Sequence, residues 1–300
     1  MPITQEQLAN RNSYVGASEV AAIMGLSRYR TAWDVWAEKT GYVEPAEAGE
    51  AAELGIALEP AIIKLAEQEL GEMDCTNLEL PIPDTPIVAH LDARLKATGE
   101  PVEIKTTGLL GGRDVEWQEG SVPYEYVVQV MIQAKAAGTK TGRIAALVVG
   151  KGMVYRTISV DDDLVAEAIE RVKEFWKYVE SKEPPPVEPS LEMVRRIPRE
   201  DTAIKVTPDQ ASVYEEYLAL REQFHTLEKE LEARKAAVLL AMGRNRRAIL
   251  PNGVVFTVTQ QRRQSFDAKQ FQKEYADLYR QYCKETTIEV LTVREAKHGD

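Results

Sequence analysis

The chain has 300 residues, of which 44% are hydrophobic and 28% charged, and it carries a net charge of −11. That length supports one large domain or two ordinary ones, and the acidic balance argues against a protein that coats nucleic acid over its whole surface. No apolar run approaches the roughly 20 residues a membrane helix needs, and the opening MPITQEQLANRNSYVGAS lacks the basic-then-apolar pattern of a signal peptide. The expectation is a cytoplasmic protein with no membrane contact. Cys75 and Cys283 form no CxxC pair, and His90, His225 and His298 show no zinc spacing.

In chain order, residues 17–25 (ASEVAAIMG) predict a helix with a small residue at its start, and residues 31–40 predict a second one, stopped by Gly41. Residues 43–52 are polar and contain Pro and Gly, so they read as a loop. Residues 53–71 predict a long helix whose Ile62, Ile63, Leu65, Ala66 and Leu70 share one stripe. Pro60 suits a first turn, so that helix can start there. The pattern then switches to period two: LELPIP, IVAHLDARL and PVEIKTT read as strands. Residues 123–138 return to helical period. RIAALVVG and MVYRTISV predict a hairpin through Gly150-Lys151-Gly152, and residues 161–182 an amphipathic helix with acid at its N-terminus. The fold class expected is α/β, a central mixed β-sheet flanked by helices.

EPPPVEPS (183–190) reads as a linker and sets the expected boundary between a domain at 1–189 and a C-terminal region at 190–300. The acidic excess lies in the first part; the second is close to neutral and slightly basic. Residues 208–242 predict a long helix with a heptad seam through Val213, Tyr217, Leu220, Phe224, Leu227, Leu231, Val238 and Ala241, broken at Arg234. RRAILPNGVVFTVTQQ predicts a hairpin turning at Pro-Asn-Gly, and residues 267–283 a final helix with Asp267 as N-cap. The heptad seam suits either a pairing with that final helix or an arm for a partner. Arg244, Arg246, Arg247, Arg262 and Arg263 cluster around the hairpin, where they contact DNA phosphates or simply solvate an edge.

The chemistry concentrates in residues 90–108, HLDARLKATGEPVEIKTTG. On a strand, Val102 and Ile104 face one way while Glu103 and Lys105 face the other. If Lys96–Gly99 form the turn, Leu95 faces Glu100, Asp92 comes opposite Glu103, and His90 opposite Lys105. Two adjacent carboxylates repel unless a cation offsets them. Magnesium does so through oxygen ligands, and a lysine beside it can orient the attacking water or neutralise charge on a phosphate. The plainer reading of Asp-x(10)-Glu-x-Lys is an exposed salt bridge on a surface hairpin.

Asp92 with Glu103-Ile104-Lys105 resembles the core of the PD-(D/E)xK nucleases. YVGASEVAAIMGLSRYRTAWDVWAEKTG, LGIALEPAIIKLAEQELG, AHLDARL…VEIKTTG and VPYEYVVQVMIQAKAAG, in that order, resemble the YqaJ-like viral recombinase family, which is akin to lambda-type phage exonuclease. The resemblance covers about residues 10–180. It implies metal ligation by Glu59, Asp92, Glu103 and the Ile104 carbonyl, with Lys105 as the catalytic lysine and Gln129 positioning DNA or water. It implies phosphate binding by Arg11 and Ser18. Gln133 departs from the pattern, since many relatives carry Tyr there, and His90 stands where small polar residues are common.

The activity so implied is a Mg²⁺-dependent exodeoxyribonuclease, with Mn²⁺ able to substitute, from a phage or prophage in a bacterial host. It would digest one strand of linear duplex DNA from its ends, 5′ to 3′, leaving 3′ single strands for a single-strand annealing protein. A homo-oligomer, in relatives a ring around DNA, is part of the same expectation. Two other readings stand beside it: an endonuclease of restriction or repair type, and a non-catalytic DNA-end-binding protein.

Overall fold

The computed structural model describes residues 10–43, 49–74, 78–108, 117, 121–262, 265–283 and 291–293. Cys75, His298 and Arg263 lie outside them. The chain divides into two compact units, Met1–Arg199 and Glu200–Asp300.

The first unit begins with a 3₁₀ turn at Arg11–Ser13 and a short strand β1 (Val15–Gly16), which runs straight into helix α1 (Ala17–Ile23). Helix α2 (Ala32–Thr40) starts on a capping box, Thr31 accepting from the Asp34 N–H and Asp34 from the Thr31 N–H, and stops at left-handed Gly41. Helix α3 spans Glu50–Leu70, so it begins well before Pro60, which sits in its interior. The sequence expectation of a start at Pro60 is therefore corrected. The first three turns are largely exposed, so water can serve the Ile56 carbonyl that Pro60, lacking an N–H, leaves without a helical partner.

Strands β2 (Met73–Asp74), β3 (Leu78–Pro81), β4 (Ile87–Leu91), β5 (Ala93–Leu95) and β6 (Pro101–Thr107) follow. Then come helix α4 (Tyr124–Ala137), strands β7 (Thr141–Val148) and β8 (Gly152–Ser159), and helices α5 (Asp162–Ser181) and α6 (Leu191–Val194). They form two sheets. One has the order β2-β5-β6-β7-β8, with β6 and β7 parallel and the rest antiparallel; the other has the order β1-β4-β3. The expected single strand over residues 87–95 is thus two strands in different sheets, separated at Asp92.

Strand alternation explains how the larger sheet is sandwiched. Val102, Ile104 and Ala145 face α3, against Ile62, Ile63 and Ala66. Ile144, Ala146 and Val148 face the other side, with Val130 of α4 and Trp117. Gly142 allows the close approach of α4, because a Cβ there would stand 2.5 Å from Val130 Cγ1. A third cluster joins α1, α2, α4 and α5 to β1 and β4.

Residues 190–199 also belong to this unit. Met193 is buried in the helical cluster, the Ser190 N–H donates to Asp34 Oδ1 at 2.9 Å, and Arg196 pairs with Glu38 at 2.8 Å. The Pro-rich segment is a strap within the unit, and the division falls ten residues later than the linker composition suggested.

The second unit holds helix α7 (Pro208–Met242), strands β9 (Arg247–Ile249) and β10 (Val255–Thr257), and helices α8 (Ala268–Glu274) and α9 (Ala276–Tyr282). Helix α7 follows the heptad reading to its ends, and its seam residues Val213, Leu220, Phe224, Leu227 and Leu231 are exposed. The hairpin turns at Pro251-Asn252-Gly253, with the Leu250 N–H donating to the Val254 carbonyl. The expected final helix is broken at Tyr275, where ψ is 54°. Among the described residues, no helix is long and apolar enough to cross a membrane.

Candidate active site

The site forms where β5 parts from β6. The pairs Ala93–Val102 and Arg94–Pro101 are in register, and the Leu95 N–H donates to the Glu100 carbonyl at 2.9 Å. This is the turn the sequence implies, and it makes Asp92 the next residue opposite Glu103. The ladder stops there instead. Asp92 bends away, and its Oδ2 accepts the Ile104 N–H at 2.9 Å. In a strand the N–H and C=O of one residue point to the same side, so the Ile104 carbonyl also faces the gap beside Asp92.

The break removes His90 from the constellation. It lies on β4 in the other sheet and not opposite Lys105. Its Nε2 is 2.8 Å from the Tyr14 hydroxyl and its Nδ1 is 3.6 Å from Glu79. Burial pulls its pKa below the usual imidazole value, against the opposing charge of Glu79.

Glu103 is the hub. It is 3% exposed, facing α4 from the middle of β6. Its Oε1 accepts from Lys105 Nζ at 2.5 Å and from Gln129 Nε2 at 2.7 Å; its Oε2 accepts from Gln133 Nε2 at 2.6 Å. Gln129 and Gln133 are one turn apart and share a helix face. Gln133 Nε2 also donates to the His90 carbonyl at 2.9 Å, which ties the two sheets together at the site. Lys105 lies over the Tyr126 ring, 4.9 Å from its centroid. Burial works against the ammonium, but the carboxylates of Glu103 and Asp92 outweigh it and hold the Lys105 pKa above its ordinary value.

Burial, the Glu103 charge and, more weakly, Glu59 push the Asp92 pKa up to about 7, with Lys105 and the Ile104 N–H opposing. Glu59 is half-buried on α3 and reaches Asp92 through its charge. Among the described residues, no three His, Cys, Asp or Glu side chains converge closely enough to hold a metal by themselves. Asp92, Glu103 and the Ile104 carbonyl are all oxygen donors, the kind a hard cation takes when water and phosphate complete its shell. A carboxylate oxygen has two lone pairs, so Glu103 Oε2, with one N–H partner, keeps acceptor capacity. The cost of charging Asp92 beside Glu103 is what such a cation would offset.

Arg11 and Ser18 lie on the segment that leads through β1 into α1. Ser18 is exposed and Arg11 partly so. A buried ion pair holds this strip: Glu19 Oε2 accepts from Lys39 Nζ at 2.7 Å and from the Gly16 N–H at 2.8 Å, with both side chains 1% exposed. Lys39 Nζ also donates to the Arg11 carbonyl at 2.7 Å, and the Arg11 guanidinium is 3.6 Å from Glu19 Oε1. Burial keeps the Lys39 pKa below the usual lysine value although Glu19 pulls it back. The strip meets β4 through the pairs Val15–Ile87 and Gly16–Val88, and through the Tyr14–His90 contact.

This arrangement has known relatives. The model of the YqaJ-like viral recombinase domain matches residues 6–140. Over those residues the chain is similar to the YqaJ-like viral recombinase domain. The uncharacterized protein YqaJ of Bacillus subtilis (strain 168) is 28% identical over 242 residues, covering 76% of this chain and 75% of that protein. Among solved structures, the alkaline exonuclease LHK-Exo of Laribacter hongkongensis superposes with a TM-score of 0.51 at 24% identity, covering 60% of this chain and 94% of that one. Its complex with dAMP gives 0.52 at 23% identity, with the same coverage. Over 60% of its length the chain thus shares the fold of LHK-Exo.

Within residues 6–140, sequence reasoning named Asp92, Glu103, Ile104 and Lys105, and the structure brings them together. It places Gln129 on Glu103, where the resemblance had it positioning DNA or water. Sequence reasoning noted Gln133 only as a departure and gave it no role, and it missed Tyr126, Glu19 and Lys39. The i,i+4 spacing of Gln129 and Gln133 was the available signal for the first; nothing local marks the other three.

Proposed function

We propose that this protein is a metal-dependent nuclease that hydrolyses the phosphodiester backbone of DNA, removing nucleotides from the ends of linear duplexes. The observation that carries the reading is the Glu103 carboxylate, buried, gripped by Lys105, Gln129 and Gln133, and set beside an Asp92 whose charge is disfavoured. A surface salt bridge has none of these features. Held by Asp92, Glu103 and the Ile104 carbonyl, with Glu59 nearby, Mg²⁺ or Mn²⁺ would supply Lewis-acid polarisation of the phosphate and acidify water. The residues of the chain do the rest. Lys105, an ammonium locked between Glu103 and the Tyr126 ring, offsets negative charge as it grows on the phosphate. Gln129 and Gln133 hold Glu103 in one orientation, as the partners behind a metal ligand do. Arg11 and Ser18 offer donors to the phosphate of a DNA end.

Digestion 5′ to 3′ and delivery of 3′ single strands to an annealing protein belong to the same proposal, supported by the kinship with YqaJ-like viral recombinases and the exonuclease fold. The test is hydrolysis of end-labelled linear duplex, with nicked and closed circles alongside, in Mg²⁺ and in EDTA. Release of nucleotides from linear DNA alone, absent in EDTA and reduced by about 10²-fold or more in Glu103→Gln and Lys105→Ala, is the expected result. Cutting of closed circles would make the enzyme an endonuclease. A well-folded wild type that cleaves nothing would leave a DNA-end-binding protein.

A further inference from the structure

The nuclease reading leaves the most basic stretch of the chain without a role. Between Glu232 and Asp267 the sequence has no acidic residue, while arginine recurs at Arg244, Arg246, Arg247, Arg262 and Arg263, in a chain whose net charge is −11. The β9–β10 ribbon gathers them. Its ladder pairs Arg247 with Thr257, Ala248 with Phe256 and Ile249 with Val255, and the Val258 N–H donates to the Arg246 carbonyl. Strand alternation therefore puts Arg246, Phe256 and Val258 on one face and Arg247, Ile249 and Val255 on the other. Arg244 and Arg262 flank the base. All four described arginines are exposed, and none of their side chains has a carboxylate partner among the described residues. Phe256 and Ile249 are 41% and 74% exposed on the same ribbon.

A ribbon that only needed protection from edge pairing would be served by lysine. The cationic positions here are all arginine, whose planar fork matches phosphate oxygens in pairs. Interleaved with them is an exposed aromatic ring, which stacks on any unpaired base. A two-stranded ribbon also fits the major groove of a duplex.

We propose that the β9–β10 hairpin is a DNA-binding ribbon that grips the phosphodiester backbone through Arg244, Arg246, Arg247 and Arg262 without reading sequence. The choice of DNA as the polyanion rests on the nuclease reading of the first unit. The experiment uses the full chain carrying Lys105→Ala, in EDTA, with fluorescent duplex and single-stranded oligonucleotides, and follows anisotropy over a range of salt. Changing the four arginines to Gln is expected to weaken duplex binding more than tenfold and to flatten the slope of log K against log[salt] by about 3 to 4. Changing them to Lys should retain most of that slope, and Phe256→Ala should weaken single-strand binding more than duplex binding. The four side chains are exposed, so the variants should keep the parent's circular dichroism and melting curve. A Gln variant with the parent's affinity and slope overturns the proposal, as does competition by polyglutamate equal to that of DNA at matched charge, which would assign the ribbon to an acidic protein. Binding is read without turnover, so a chain that binds through these arginines yet never cleaves DNA would sink the nuclease reading alone.

Discussion

The Glu103 carboxylate sits 3% exposed on a central strand, where an unpaired charge would cost several kcal/mol. Its three N–H donors come from β6 and α4, and one of them, Gln133, stands where the family pattern leads one to expect Tyr. Gln133→Leu should leave Glu103 Oε2 without its donor and cut the bond to the His90 carbonyl. The metal concentration for half-maximal hydrolysis should then rise by about 10-fold or more, with a smaller effect on saturated rate. A loss of stability alone, with unchanged metal dependence, would mark Gln133 as a packing residue. Gln133→Glu, which retains size but brings a second carboxylate to Glu103, should be worse than Leu in metal-free stability. At this scale Glu103 and Lys105 were legible from strand alternation, and the turn length brought Asp92 to their neighbourhood although not into the register it predicts. His90 was misplaced because the break at Asp92 is made by a side-chain bond to the Ile104 N–H, which no periodicity records.

At the scale of elements, the Glu19–Lys39 pair joins the start of α1 to the end of α2 and, through the Arg11 carbonyl, to the 3₁₀ turn. Both charges are fully buried, so removing one strands the other. Lys39→Met should destabilise the chain by about 3–5 kcal/mol in urea unfolding. The double variant Lys39→Met with Glu19→Gln should recover part of that, because a neutral amide keeps an acceptor for the Gly16 N–H. A single variant as stable as wild type would show that the pair is not the anchor of the Arg11–Ser18 strip. The Gly41 stop and the acidic start of α5 act as the sequence led one to expect, and the Thr31 capping box and the Gly138 stop follow the same residue rules. Pro60 misled because proline marks a break only where the lost hydrogen bond and the ring clash outweigh packing. Here Ile62, Ile63 and Ala66 are buried and the turns before them are open to water.

For the whole molecule, the division at Arg199 makes a prediction that the Pro-rich segment alone does not. A chain ending at Arg199 should unfold cooperatively with the same midpoint as the first transition of the full chain. One ending at residue 189 loses Met193 from the core, the Ser190 bond to Asp34 and the Arg196 pair with Glu38, and should be weaker by about 2–5 kcal/mol. Equal stability of the two truncations would return the boundary to the proline run. The sequence by itself determined the fold class, the order and kind of nearly every element, the heptad helix and the carboxylate–lysine core, because each rests on local periodicity or on residues a few positions apart. Only the tertiary structure decided which α4 side chains hold Glu103, which buried charges pin the Arg11–Ser18 strip, and where the first unit ends. Those depend on contacts between residues 20 to 158 positions apart, whose pairing is set by how α4 and α2 pack and not by any pattern along the chain.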